Sequence, residues 1–260
     1  MTQQVRVEVS GAVAQLVLCA PVSGNRVDVG FAQSLARAVE VVEADLSVRV
    51  LWLRAEGEHF SQGADVRAFH DRGDEVPNAV MELFEALNPA LERLWALPVP
   101  SVAEVQGWCV GGALGLASMA DVVVAGSGAR FRAAFTGLAI PNTGGSTLGF
   151  ASRMGMSAAK RFCLLNEAMD AEQAQQAGLV DVVVDEADLD QTAREFAERL
   201  AAGPTLAYVG IRRNFARVPT SLAGSLADEV ESVRACAGSE DVAEAVGAFM
   251  EKRRPGFRGR

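Results

Sequence analysis

Two glycine-rich junctions, Val110-Gly111-Gly112-Ala113-Leu114-Gly115 and Ile140-Pro141-Asn142-Thr143-Gly144-Gly145, restrict this chain more than anything else in it. The apolar residues 99–105 lead into the first, and a helix-compatible run, 114–119, leaves it. Paired glycines at such a place let another group come close to the backbone, because neither carries a Cβ. A helix that begins there points unpaired N–H groups and the positive end of its dipole at whatever lies above. That suits an anion, or an oxygen that gains negative charge during a reaction. A comparable junction comes earlier, where the strand-like residues 50–54 run into Glu58-His59-Phe60-Ser61-Gln62-Gly63-Ala64-Asp65. Two such loops converging on one carbonyl would make an oxyanion hole. The same glycines also serve as plain strand-to-helix turns, and one Gly-Gly pair alone does not separate the two readings.

The periodicity around these junctions predicts alternating strands and helices. Residues 5–8 and 13–18 read as a β-hairpin around Ser10-Gly11. Helical spacing covers 31–44 and 80–97, the latter ended by Pro98. Strands are expected at 48–54, 101–105, 121–125 and 130–133. Helices dominate from Ser157 onward, at 157–165, 171–177, 189–202, 205–216, 222–235 and 239–252. Strands and helices in this order imply a layered α/β core.

At 260 residues the chain can bury a sizeable core as one large domain, or as one domain with a helical appendage. Half its residues are hydrophobic, yet no apolar run stays free of charge for a membrane span. The N-terminus lacks the basic-then-apolar pattern of a signal peptide. Cys19, Cys109, Cys163 and Cys236 lie far apart, which argues against a zinc site and for reduced thiols in the cytoplasm. A net charge of -9 makes nucleic acid an improbable partner, since binding phosphates needs a basic face.

Taken in order, Phe60-Ser61-Gln62-Gly63-Ala64-Asp65, Pro100-Ser101-Val102-Ala103-Glu104-Val105-Gln106-Gly107, Gly111-Gly112, Ala120-Asp121, Ile140-Pro141 and Gly144-Gly145 resemble the crotonase family of enoyl-CoA hydratases and isomerases. The likeness continues through Ala174-Gln175-Gln176-Ala177-Gly178-Leu179-Val180 to the tail Phe249-Met250-Glu251-Lys252-Arg253. The resemblance implies a spiral of strand-strand-helix turns over residues 1–195 and a helical trimerisation region over 196–260. It also implies a homotrimer or a dimer of trimers. No tightly bound cofactor is implied; coenzyme A enters as part of the thioester substrate.

Matched to the family motif, the backbone N–H groups of Ala64 and Gly112 would hold the thioester carbonyl, and losing one such donor typically costs about 3 kcal/mol of transition-state stabilisation. The adenine would lie along the backbone of residues 61–65, with Ser61, Gln62 and Asp65 around it. Arg26 would approach the phosphates, and Phe249 and Lys252 would reach the nucleotide of a neighbouring subunit. Read without the resemblance, Phe249 is an amphipathic-helix residue, and Lys252 compensates the helix dipole.

The two family glutamates of hydration fall on Gly115 and on Phe135, or on Ala134 if the one-residue shortening is placed differently. Hydration needs a base to activate water and an acid to protonate carbon, and neither residue can be one. This favours an isomerase or lyase over a simple hydratase, with a catalytically degenerate acyl-CoA-binding or assembly subunit as the alternative. A subset of family isomerases carries an aspartate where this chain has Asn142. An amide there could orient a water or a substrate oxygen, or only support the turn. The dehalogenase branch shares the glycine and the aromatic residue, but its nucleophilic aspartate falls on Thr143.

Among titratable residues near the pocket, His70 carries an imidazole, a side chain suited to proton transfer, yet beside Asp71 and Arg72 it also reads as a solvated loop residue. With Gly115 and Phe135 it would border the acyl group. Asp65 reads as a helix cap. Glu104, mid-strand, needs a partner or a raised pKa if it is buried.

Overall fold

The computed structural model describes residues 3–216 and 221–260. Its centre is a six-stranded sheet in the order β1-β2-β3-β4-β6-β9. β1 (Val5–Ser10) and β2 (Val13–Leu18) form the antiparallel hairpin, turning at Gly11 with a positive φ of 60°. From β2 onward the ladder is parallel, through β3 (Val50–Ala55), β4 (Ser101–Val105), β6 (Val122–Gly126) and β9 (Val182–Val184). Strands buried on both faces read as mostly apolar runs, which is why 50–55 and 101–105 stand out in the sequence despite Arg54 and Glu104.

A three-stranded sheet, in the order β5-β7-β8, lies beside it and comprises β5 (Trp108–Val110), β7 (Arg130–Arg132) and β8 (Ala168–Asp170). The chain alternates between the two sheets: β4 is followed by β5 and then α4 (Gly111–Ser118), and β6 by β7. The loop after β3 joins the same small sheet through a parallel bridge between Ser61 and Cys109. The family fold of strand-strand-helix turns is present.

One face of the large sheet buries Leu51, Leu53, Ala103 and Val105 against α1 (Val29–Ala44) and α3 (Val76–Ala96), which pack on each other. The opposite face presents Val50, Trp52, Val102 and Val124 to α8 (Leu189–Ala201). Because α8 covers β3, β4 and β6, the expected division at residue 195 falls inside a helix that belongs to the sheet. The last helices are α9 (Thr205–Ala216), α10 (Leu222–Ala237) and α11 (Glu240–Glu251), close to their expected spans.

Several elements lie outside the expectations. α3 starts four residues early, because Pro77 sits in its first turn, where a missing N–H costs nothing. α5 (Ser146–Met154) was not anticipated. Its Gly149 is packed so closely on α4 that a Cβ there would stand 2.1 Å from the Ser118 hydroxyl. That residue has low helix propensity and is selected by the close contact. Helix α6 (Met156–Leu165) follows its expected span and extends it by one residue, whereas the three-residue strands β5, β8 and β9, too short to show a period, were not anticipated.

Candidate active site

The two junctions meet at a cavity of about 280 Å³ between the small sheet, α3 and the segment 134–143. Gly63, with φ of 82°, ends the loop that follows β3, and a parallel bridge ties Ala64 to Val27. The N–H of Val27 donates to the Gly63 carbonyl at 2.9 Å, and that of Asp65 to the Val27 carbonyl at 3.1 Å. Ala64, held between them, lines the cavity, and among the described residues its N–H has no protein acceptor. Across from it, Gly111 takes φ of 60° and α4 begins. The N–H of Gly112 lies in that first turn and lacks an intrahelical acceptor. It too has no protein acceptor among the described residues. Gly112 also lines the cavity.

The third wall is held by backbone contact. Gly144, with φ of 65°, lies so close to α4 that a Cβ would stand 2.9 Å from both the Cα and the carbonyl oxygen of Gly112. Only a glycine fits such an approach. Gly115 is buried one turn further on, where a Cβ would meet the Gly144 carbonyl at 2.5 Å. Gly115 therefore supports the turn and is not among the residues that line the cavity. Phe135 does line it, buried, in a short 3-10 turn (Phe135–Leu138) flanked by left-handed Ala134 and Ala139. Ala134 also lines it, so neither placement of the sequence shortening brings a carboxylate to this wall.

Asn142 is placed differently from expectation. Its side-chain amide donates to the Thr147 hydroxyl on the first turn of α5, and its neighbour Thr143 lines the cavity instead. The Thr143 hydroxyl lies 3.9 Å from where a Cβ on Gly112 would stand. His70 is exposed at the end of α2 (Val66–His70), whose Val66 and Phe69 provide the lining. Both differences have one cause: helical and turn periodicity turns every adjacent side chain in another direction.

Of the residues expected around the nucleotide, Gln62 is exposed and lines the cavity. Ser61 is fully buried, its hydroxyl donating to the Asn25 carbonyl at 2.6 Å and accepting from the Gly63 N–H at 3.1 Å. Its N–H and carbonyl pair with Trp108 and Val110, so Ser61 shapes the loop and is not among the residues that line the cavity. Asp65 caps α2 by accepting from the Arg67 N–H at 3.1 Å, and Arg26 lies 3.8 Å from its carboxylate. Phe249 is exposed on α11 and Lys252 forms its left-handed C-cap; neither lines the cavity.

Glu104 points the other way. It is buried on the α8 face of β4, with the carboxylate 3.4 Å from the Arg54 guanidinium. Burial pushes its carboxyl up to about 7 against the pull of Arg54, with Asp190 pushing in the same direction as burial. Asp190 in turn pairs with Arg54 at 2.7 Å and Arg194 at 3.0 Å.

Arg132, Asn166 and the α3 residues Val80, Leu83, Phe84 and Leu87 also line the cavity. The amphipathic pattern of α3 carries a signal for its apolar wall. Arg132 carries none, because its orientation depends on the pairing of β7 with β5.

The model of the enoyl-CoA hydratase/isomerase family matches residues 8–260, and the chain belongs to that family. It is 33% identical over 229 residues to the 1,2-epoxyphenylacetyl-CoA isomerase of Escherichia coli (strain K12), covering 87% of each chain. It is 31% identical over 251 residues to the 2,3-dehydroadipyl-CoA hydratase of the same organism, covering 94% of each. A crystal structure of enoyl-CoA hydratase subunit I from Geobacillus kaustophilus is similar with a TM-score of 0.88, at 28% identity, over 99% of this chain and 98% of that one. No described helix is long and apolar enough to cross a membrane.

Proposed function

We propose that the cavity holds the acyl group of a coenzyme A thioester, with its carbonyl oxygen between the N–H groups of Ala64 and Gly112. The observation that carries this reading is that these two amides, on opposite loops of one cavity, have no acceptor among the described residues. Such donors stabilise charge as it develops on the thioester oxygen, and the enolate is the species they favour.

The reaction class follows from the side chains. Among the described residues, no aspartate, glutamate, histidine, lysine, cysteine or tyrosine lines the cavity. Simple addition of water needs both an acid and a base, so an isomerase or lyase acting through the enolate is the better reading. Relatives with names of both kinds, an isomerase and a hydratase, fit a common frame with variable side chains. The same lack of titratable groups favours a second reading, a catalytically degenerate acyl-CoA-binding or assembly subunit.

The nucleotide would leave along Gln62 toward Arg26, in the cytoplasm. In a trimer or dimer of trimers, exposed apolar residues of the last helices, such as Phe215, Val233 and Phe249, would be covered, and Lys252 would approach a neighbour's nucleotide. Calorimetric titration with butyryl-CoA and free CoA tests the binding reading, which fails if neither binds below millimolar concentration. A panel of enoyl-, dienoyl- and malonyl-type thioesters separates the two readings, since robust turnover of any member rejects the degenerate one.

A further inference from the structure

Among the described residues, Arg132 is the only charged side chain that lines the cavity. Strand β7 pairs in parallel with β5 so that Arg132 stands beside Val110. Paired neighbours on adjacent strands project to the same face, about 4.8 Å apart. Val110 is itself a lining residue and immediately precedes Gly111 and Gly112. The arginine therefore sits one strand away from the backbone that delivers the Gly112 N–H.

Its head group is anchored along one edge. The Arg132 Nε donates to the backbone carbonyl of Asn166 at 3.0 Å and to its side-chain oxygen at 3.2 Å. Asn166 is held in turn, left-handed with φ of 55°, and its side-chain oxygen also accepts from the Ala134 N–H at 2.7 Å. Anchoring Nε leaves the two Nη groups, a planar fork suited to an oxyacid. Among the described residues no carboxylate lies within 4.0 Å of Arg132.

We propose that Arg132 selects the substrate by binding a carboxylate on the acyl chain, so that the ligand is a carboxylated acyl thioester. This rests on the thioester reading above and names its substrate class. The phosphates of coenzyme A offer the same oxyanion chemistry, but the pantetheine arm separates them from the thioester. A cation one strand from the oxyanion donors is on the acyl side. Asn166 acts as a positioning residue, fixing the plane of the guanidinium.

Calorimetric titrations of wild type, Arg132→Met and Arg132→Lys with succinyl- and glutaryl-CoA, with their neutral equals in length, butyryl- and pentanoyl-CoA, and with free CoA test the assignment. Wild type is expected to bind at least one carboxylated thioester tenfold or more tightly than its neutral counterpart. Arg132→Met should abolish that preference and leave butyryl-CoA and free CoA unchanged, with Arg132→Lys between the two. Equal affinity of wild type for charged and neutral chains overturns the proposal while leaving the thioester reading intact. An equal loss for all ligands in Arg132→Met, free CoA included, assigns the arginine to a phosphate and overturns it as well. If no thioester and no free CoA binds to wild type, the thioester reading itself fails and takes this one with it. Because Arg132 is exposed, its variants are expected to fold, and retention of the preference in a folded Arg132→Met is decisive against the proposal.

Discussion

The carbonyl oxygen of Gly144 occupies the space where a side chain at Gly115 would begin, 2.5 Å from the position of a Cβ. Main chain closes the space at position 115, to which the resemblance assigns one glutamate of hydration. On that reading the glycine belongs to the way the 143–145 turn packs on α4, and a single substitution does not reverse it. Gly115→Ala should lower stability by about 2 kcal/mol, the usual scale of overpacking. Gly115→Glu should not gain hydration of crotonyl-CoA. Urea melts and a hydration assay check both, and an Ala variant as stable as wild type would show that the turn yields easily.

Of the two readings the sequence left open for Asn142, its placement favours support of the turn, while Thr143 stands at the cavity. The Asn142 amide ties the turn to Thr147, whereas Thr143 presents its hydroxyl to the cavity. Asn142→Ala is expected to cost about 1 kcal/mol of stability, the net worth of one hydrogen bond. Its effect on turnover of any active thioester should be smaller than that of Thr143→Val, for which we expect about a tenfold loss. Paired melting and steady-state measurements on the two variants decide the matter. A larger kinetic loss at Asn142, with stability unchanged, would return the chemistry to the amide.

How far the sequence could be read depended on whether a residue's position or its direction was needed. The glycines at 63, 111 and 144 were visible because backbone torsion and close approach leave a chemical trace in residue type. Strands β3 and β4 were visible as mostly apolar runs, each carrying one charged residue. Arg132 gave no such trace, since its direction comes from a three-residue strand pairing with another three-residue strand. His70 looked promising by its chemistry, and the last turn of a five-residue helix carries it to the surface. Glu104 was flagged as anomalous within an apolar strand. Alternation along β4 then places it opposite the cavity, beside Trp52 and α8.

A mobile proton on Glu104 should make stability depend on pH in a definite sense. In the folded protein this carboxyl is pushed up to about 7 from its ordinary 4.5, because burial outweighs the attraction of Arg54, and Asp190 adds to the effect. One carboxylate oxygen has no hydrogen-bond partner among the described residues. Between those two values the folded state keeps a proton that the unfolded chain has released, so stability falls as pH rises and levels off above 7. At about 1.4 kcal/mol for each pH unit, the loss across the window is about 3 kcal/mol. Arg54, Asp190 and Arg194 surround the carboxyl, and carboxylates elsewhere in the protein add to the total slope, so the comparison must be with a variant. Glu104→Gln keeps the shape and removes the titration, and it should be less dependent on pH between 5 and 7. Near pH 8 its stability should equal or exceed that of wild type. Denaturant unfolding of both proteins at pH 5, 6, 7 and 8 measures the difference, and parallel curves would show that Glu104 is ionised throughout, held by Arg54 more strongly than burial opposes it.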